Sequence, residues 1–151
     1  MKLSLLKAAT YPYPEADRGI HTFTYSLYPH KGDYEEGNTV VEGYLLNMPL
    51  ECYKISATNG SLCDSWTPVL ASSDNVVIET VKKAEEDNSV VVRMYETYNR
   101  KSNTTITTGF DFKEAYICDL MENNLEKLDA NGRSVDIKIK NYEIVTLKFV
   151  V

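Results

Sequence analysis

The C-terminal stretch Ser134-Val-Asp-Ile-Lys-Ile-Lys-Asn-Tyr-Glu-Ile-Val-Thr-Leu-Lys-Phe149 decides the predicted fold, because apolar and polar residues alternate along both of its halves. The apolar positions are Val135, Ile137 and Ile139 in the first half and Val145, Leu147 and Phe149 in the second. Alternation with a period of two places these side chains on one side of an extended chain. The stretch therefore predicts two strands, at 134–140 and 142–150, each with one face in a core and a solvated outer face.

Upstream of this stretch, further short apolar runs are separated by polar turn residues. The predicted strands lie at 66–70, 76–84, 89–98, 103–110 and 113–120. Their connections are short and contain typical turn sequences, such as Glu85-Glu86-Asp87, predicted to be a solvated hairpin tip, and Asn131-Gly132. Seven strands with such connections indicate an antiparallel β-sandwich of the immunoglobulin type. Trp66 stands at the start of the first strand and is expected to pack in the core; the alternative is that it stacks on the face of a sugar.

The first third of the chain has a different pattern. Residues 2–7 are predicted to form a short strand. Residues 20–28 alternate as a strand does, and His21 falls on the apolar side, where an interior histidine is expected. From Tyr34 to Leu46 the apolar residues recur at a nearly helical spacing behind Asp33, a residue suited to capping a helix N-terminus. The sequence therefore predicts one helix here, weakened by two internal glycines.

Residues 49–65 carry few structural signals and are predicted to be a crossover loop. A short strand at Glu51–Ile55 and a turn at Asn59-Gly60 are the elements that their composition favours.

A proline-rich loop precedes the strand at 20–28. It reads Thr10-Tyr-Pro-Tyr-Pro-Glu-Ala-Asp-Arg-Gly19. Pro12 and Pro14 fix their own φ angles and favour extended neighbours, and Gly19 frees the backbone just after a charged Asp17-Arg18 pair. Such a stiff loop is typical of a segment that presents side chains to a partner or a ligand.

The composition excludes several classes of protein. With 43% hydrophobic and 25% charged residues the chain is an ordinary globular protein, and its net charge of −6 disfavours nucleic acid and anionic membranes as partners. Cys52, Cys63 and Cys118 cannot all pair and form no Cys-x-x-Cys motif. We expect buried or half-buried free thiols and a cytoplasmic location.

Several of these segments together resemble the C-terminal region of glycoside hydrolase family 38 α-mannosidases of bacterial type. The similar motifs are Ser4-Leu-Leu-Lys7, Tyr11-Pro-Tyr-Pro-Glu-Ala-Asp-Arg-Gly19, His21-Thr-Phe-Thr-Tyr-Ser-Leu-Tyr-Pro-His30, Lys82-Lys-Ala-Glu85, Arg93-Met-Tyr-Glu96, Cys118-Asp-Leu-Met-Glu122 and Tyr142-Glu-Ile-Val-Thr-Leu147. The resemblance covers essentially the whole chain, with Tyr142 where Phe is more usual. It implies that residues 1–48 are the terminal strands and helix of a larger β supersandwich, 49–65 a crossover loop, and 66–151 the immunoglobulin-like sandwich.

The family resemblance also implies a function for the enzyme as a whole. Family 38 enzymes are retaining α-mannosidases whose zinc ion, Asp nucleophile and acid/base carboxyl belong to an N-terminal α/β barrel. This chain has no His-x-Asp pair and only two histidines, so we expect no catalytic residue and no cofactor in it. It begins abruptly in an apolar strand, which we interpret as a fragment that is inactive alone. Its expected partners are the catalytic barrel, with an α-mannoside as the substrate of the full-length enzyme, and a second copy of the protein.

The resemblance places Asp17, Arg18 and Gly19 near the substrate of the full-length enzyme. Arg18 would donate hydrogen bonds to sugar hydroxyls or to an active-site carboxylate. The alternative is that Arg18 only braces its loop by bonding Asp17, Glu15 or backbone carbonyls. His30 is expected to anchor the turn that follows Pro29. An apolar patch is expected around Leu3–Leu6 and the face that carries Tyr11 and Tyr13.

Two other functions stay open at this point. One is a stand-alone carbohydrate-binding β-sandwich module, which would present exposed Tyr or Trp side chains to a sugar. The other is an immunoglobulin-like adhesion or scaffolding domain.

Overall fold

The computed structural model describes residues 2–56, 60 and 64–151. The chain divides into two compact units, Met1–Ile55 (the N-terminal unit) and Ser56–Val151 (the C-terminal unit). None of the helices in the described part of the chain has the length and apolar character needed to cross a membrane. Nearly all of the regular structure belongs to the C-terminal unit.

The described part of the C-terminal unit forms nine strands in two antiparallel sheets. They are β1 (Val69–Ala71), β2 (Val76–Lys83), β3 (Val90–Glu96), β4 (Ser102–Thr108), β5 (Glu114–Cys118), β6 (Asn124–Leu128), β7 (Ala130–Asn131), β8 (Ser134–Ile139) and β9 (Ile144–Val150). Sheet A has the order β1-β4-β8-β7 and sheet B the order β2-β3-β9-β5-β6. The two sheets form a sandwich, so the predicted all-β antiparallel fold is confirmed.

The core lies between the two sheets and consists of the alternating apolar residues. Val135, Ile137 and Ile139 of β8 are buried, as are Val145, Leu147 and Phe149 of β9. Phe149 is fully buried and meets the edges of two other rings, Phe110 at 6.2 Å and Phe112 at 4.9 Å between centroids. Burial of such a side chain contributes roughly 2–3 kcal/mol, so this aromatic cluster is a major part of the sandwich's stability.

All seven strands predicted in the sandwich have counterparts, and two strands were missed. β6 is the edge strand of sheet B, and only Leu128 of its residues is even partly buried. Without alternating burial an edge strand leaves no period-two signal in the sequence. β7 has two residues and pairs with β8 across the predicted Asn131-Gly132 turn, where Gly132 takes a left-handed φ of 62°.

The N-terminal unit contains one helix, α1 (Thr39–Asn47), which is shorter than the predicted Tyr34–Leu46. Asn38 adopts a left-handed conformation with φ 50°, and this separates α1 from the preceding turn. Asp33 caps that turn instead: its Oδ1 accepts hydrogen bonds from the backbone N–H groups of Glu35 (2.9 Å) and Glu36 (3.0 Å). Asp33 therefore caps the turn and not the helix, whose N-cap position is Asn38, so the predicted helix N-cap and the predicted helix start were both wrong.

The strands predicted at 2–7, 20–28 and Glu51–Ile55 are not formed in this unit. A strand needs a neighbour to bond its backbone N–H and C=O groups, and the described residues of the unit supply none. The large apolar side chains of these segments are exposed instead, from 43% for Phe23 to 100% for Ile20. The predicted turn at Asn59-Gly60 includes Asn59, which lies outside the described residues.

Candidate functional site

The predicted site residues lie in a tight double turn of the N-terminal unit. The backbone N–H of Ala16 bonds Tyr13 O at 3.2 Å, and that of Arg18 bonds Glu15 O at 3.3 Å. Asp17 has a positive φ of 59° and Gly19 one of 142°. An L side chain rarely adopts the second value, so Gly19 is required by the backbone path and keeps this loop compact.

Arg18 braces its own loop, which was one of the two alternatives predicted for it. Its Nη1 lies 3.0 Å from Glu15 Oε1, and both side chains are more than half exposed. A guanidinium has five N–H donors, and this ion pair engages only one nitrogen. The bracing contact therefore leaves further donors of Arg18 directed to the surface.

The two histidines have different roles. His21 is exposed, with Nε2 2.7 Å from Asp17 O, so the prediction of an interior histidine was wrong. His30 anchors its turn as predicted: Nδ1 lies 3.1 Å from Lys31 O, and the ring fills the space where a Cβ on Gly37 would lie, 2.3 Å away. Neither ring joins a metal-ligand group, since no three His, Cys, Asp or Glu side chains converge for a metal within the described residues.

Trp66 was expected in the core and is 63% exposed. Its indole Nε1 donates a hydrogen bond to Gly109 O at 3.1 Å, which ties the segment before β1 to the end of β4. A Cβ at Gly109 would lie 2.6 Å from this nitrogen and 2.3 Å from Thr67 O. The polar indole group is used at the surface, and Gly109 permits the close approach.

A buried carboxylate, Glu96, joins three connections at one end of the sandwich. Its Oε1 accepts from Asn75 Nδ2 (2.8 Å) and from the Tyr98 backbone N–H (2.7 Å), and its Oε2 accepts from the Tyr142 backbone N–H (2.9 Å). Burial raises the pKa of Glu96, but these donors together with the Arg100 N–H outweigh it and hold the pKa below its ordinary value. Glu96 is ionised and structural, because every group around it stabilises the loops rather than a ligand.

A second polar cluster covers the outer face of sheet B, which was predicted to be solvated. The strand register aligns Lys82, Val91, Lys148, Tyr116 and Lys127 in one row across the five strands. Each lysine in the row has an acidic partner: Lys82 has Glu85 and Glu122, Lys148 has Asp87, and Lys127 has Glu114. The turn between β5 and β6 and the tip between β2 and β3 supply most of these acids, which leaves Thr146 buried and the Lys148 side chain only 11% exposed.

Within this row, the ion pair between Asp87 and Lys148 contains the carboxyl group whose pKa is lowered most. Asp87 Oδ2 lies 2.9 Å from Lys148 Nζ, and the carboxylate also accepts from the Ser89 backbone N–H at 2.7 Å. Lys148 and then Ser89 lower the pKa of Asp87 to about 2, and Asp87 raises the pKa of Lys148 against the effect of burial. The predicted solvated tip at Glu85-Glu86-Asp87 is thus a hairpin tip whose last residue is fixed to β9.

Two of the cysteines are within the described residues. Cys118 is a buried free thiol, as predicted, and burial raises its pKa. Cys52 is exposed, so the prediction of a buried thiol was wrong there. Cys63 lies outside the described residues.

The sequence predicts only some of the residues that bond Glu96 or form the lysine row on the outer face of sheet B. Lys82, Glu85, Glu96 and Glu122 all lie in motifs that carry the family resemblance, but the motifs give no role for them. Lys148 carried no such signal, since a lysine at an alternating position is read as a solvated one.

Comparison with known proteins gives consistent matches. Residues 75–147 match the family model described as the glycosyl hydrolases family 38 C-terminal beta sandwich domain. The chain is 38% identical to Alpha-mannosidase 2C1 of Homo sapiens over 125 residues, which cover 81% of this chain and 12% of that protein. It is 33% identical to Alpha-mannosidase G of Dictyostelium discoideum over 159 residues, 98% of this chain and 14% of that protein. The chain therefore spans only 12 to 14% of the length of these relatives.

Proposed function

We propose that this chain, which belongs through residues 75–147 to the C-terminal β-sandwich domains of family 38 glycosyl hydrolases, is a non-catalytic part of an α-mannosidase. In the proposal the enzyme is cytoplasmic and retaining, and it acts on terminal α-mannosides. The match between the family model and strands β2 to β9 is the observation that carries this proposal. The relatives named α-mannosidases support the substrate class. In the proposal, this region supports the catalytic barrel and lends the loop at 12–19 to the edge of the active site.

The exposed apolar surface of the N-terminal unit supports a role in binding another, larger part of the enzyme. Among the described residues of this unit only Gly37 is fully buried. Its exposed large apolar side chains include Leu3, Leu5, Leu6, Tyr11, Tyr13, Ile20, Tyr25, Leu27, Leu50 and Tyr53. A unit that buries so little apolar surface gains little stability from its own packing, and large exposed apolar patches mark interaction sites. The proposed partner of this surface is the remainder of the mannosidase polypeptide.

The described side chains do not fit the zinc of the family, because no three ligands converge and both histidine rings contact oxygens of their own turns. In the proposal the metal and both catalytic carboxyls therefore lie in the barrel. The contribution of this chain is limited to structure and to Arg18, whose unused N–H donors can reach a sugar hydroxyl or a carboxylate of the barrel.

A chimeric enzyme tests the function of the loop. The matched segment of Alpha-mannosidase G is replaced by this chain, and kcat/KM is measured with an aryl α-mannoside. We expect Arg18→Ala to lower kcat/KM at least tenfold, or about 1.4 kcal/mol of transition-state stabilisation, and Glu15→Ala to leave it within twofold. Small effects of equal size for both substitutions would show that Arg18 only braces its loop and does not contact the substrate or the active site.

The isolated chain tests the other half of the proposal. We expect no hydrolysis of an aryl α-mannoside with or without added zinc, and no heat of binding with mannose or α-mannobiose at millimolar concentration. Hydrolysis by the chain alone would contradict a non-catalytic role. Measurable sugar binding would favour the stand-alone carbohydrate-binding module.

A further inference from the structure

The outer face of sheet B holds a cavity of about 450 Å³ between the β2–β3 tip and the β5–β6 turn. Its volume is within the range of ordinary ligand pockets. Its polar part is lined by charges of both signs, and its apolar part by Leu120 and Met121. The polar lining residues are Lys82, Arg93, Lys148, Glu85, Glu86, Glu122 and Asn123.

Arg93 differs from the two lysines because the described part of the chain gives it no acidic partner. Lys82 is paired with Glu85 and Glu122, and Lys148 with Asp87. Arg93 is half-buried, and the described residues give it only a long hydrogen bond of 3.4 Å from Nε to Thr146 Oγ1. A guanidinium held partly out of water with its fork unoccupied is a ready partner for a carboxylate.

The apolar part of the cavity is held in place by its own turn. Asp119 Oδ1 accepts from the backbone N–H groups of Met121 and Asn123, both at 2.9 Å. Glu122, whose side chain is only 9% exposed, bonds Lys82 and the Glu85 backbone N–H. Leu120 and Met121 project from this fixed turn with 70% and 80% of their surface exposed. Because the backbone of this turn is already fixed, a partner that covers the two side chains has to order only their rotamers and not the loop.

The charge of the chain selects the source of the carboxylate. With a net charge of −6, the chain repels small anions from solution. An acidic side chain elsewhere in the same polypeptide would be repelled too, but its tether would raise its effective concentration to the millimolar range and offset the repulsion. The matched segments make up 12 to 14% of these relatives, so most of their chain lies outside the region that this sequence covers.

We infer that Arg93, Leu120 and Met121 form a docking surface for the remainder of the mannosidase polypeptide, with Arg93 receiving one of its carboxylates and the two apolar side chains packing beside it. This inference rests on the proposed function and adds the sandwich as a second contact region. It requires the partner surface to present an acidic side chain next to apolar ones.

A binding measurement between separate polypeptides tests the inference. The Kd of the full 151-residue chain for Alpha-mannosidase G lacking its matched segment is measured by biolayer interferometry. The variants are Arg93→Gln, Arg93→Lys, Met121→Asp and, as a matched control, Leu70→Asp, an apolar residue of sheet A that is 59% exposed. Thermal unfolding of each isolated variant shows whether it is folded before its Kd is compared.

We expect Arg93→Gln and Met121→Asp each to raise Kd at least tenfold, Arg93→Lys to have a smaller effect, and Leu70→Asp to have none. Binding by the unmodified chain with the same Kd for all variants would overturn the docking surface and leave the proposed function intact. No binding by the unmodified chain would overturn the proposed support of the catalytic part, and the docking surface with it.

Discussion

Glu96 and Tyr142 lie 46 positions apart and are joined by a hydrogen bond of 2.9 Å from the Tyr142 backbone N–H to Glu96 Oε2. Glu96 ends β3, and Tyr142 lies in the β8–β9 connection with a left-handed φ of 52°. The carboxylate therefore fixes a strained turn of one sheet-to-sheet connection to the end of a central strand. Two of the motifs on which the family resemblance rests meet at this bond.

Replacing Glu96 by Gln should destabilise the sandwich. In the unmodified protein the carboxylate accepts hydrogen bonds from N–H groups; the substitution removes the charge and places an amide donor against one of them. We expect the free energy of unfolding to fall by about 2–3 kcal/mol. Urea denaturation followed by circular dichroism measures this cost. Glu126→Gln, at an exposed position of β6, is the control and should change the free energy by less than about 0.5 kcal/mol.

The stability of the chain should fall in acid and not near neutrality. The pKa values of Asp87, Glu96 and Glu122 are all lowered in the folded chain, that of Asp87 to about 2. A carboxyl whose folded pKa is depressed stabilises the protein above its unfolded pKa, and this contribution is lost as the pH falls toward the folded pKa. We expect Tm to be flat from pH 7 to about pH 5 and to fall between about pH 4 and pH 2. Asp87→Asn should lower Tm at neutral pH and make the acid decline shallower, and an unchanged acid decline would contradict the role of this pair.

Gly109→Ala should destabilise the chain and alter the environment of Trp66. The new Cβ would lie 2.3 Å from Thr67 O, so the backbone must move, at about 1–3 kcal/mol. Trp66 is the only tryptophan of the sequence, so its fluorescence reports the change directly. Gly43→Ala is the matched control and should cause no loss, because the new Cβ would meet nothing within 4 Å apart from its chain neighbours and the backbone of its own helix. A Gly109→Ala protein with unchanged fluorescence and stability would show that the indole does not pack there.

The two described cysteines should react at very different rates. Cys118 is buried beneath the β5–β6 turn and its pKa is raised, which lowers the fraction of reactive thiolate, whereas Cys52 is exposed. In a Cys63→Ser background we expect one thiol to react rapidly with Ellman's reagent at pH 8 and the second only in denaturant. Rapid reaction of both in the folded protein would place Cys118 at the surface.

The sequence predicts those parts of the fold whose stability comes from an alternating apolar face. β8 and β9 were predicted correctly because each buries every second residue against the opposite sheet. β6 was missed because an edge strand with an exposed face needs no such pattern. Residues 20–28 have the pattern and yet form no strand, because pairing depends on a neighbouring strand that a local sequence does not reveal.

The buried polar side chains were harder to predict from the sequence than the core, because their burial also depends on distant parts of the chain. Lys148 and Thr146 alternate with apolar residues and so look solvated, yet turns from distant parts of the chain cover them. Burial of a polar side chain depends on which loops lie above it, and that is a property of topology. The motif residues Lys82 and Glu122 were quoted without a role, and only the structure shows that they bond each other at 2.8 Å.

Rescue of a truncated relative tests most directly the proposal that this chain is a non-catalytic region of an α-mannosidase. Alpha-mannosidase G lacking the segment matched by this chain is assayed for aryl α-mannoside hydrolysis alone, with this chain added in trans, and with a core-disrupted Leu147→Asp chain added. We expect no activity from the chain itself, and at least tenfold higher turnover when the intact chain, but not the Leu147→Asp chain, is present. Turnover that is unchanged by the intact chain, or hydrolysis by the chain alone, would contradict the account.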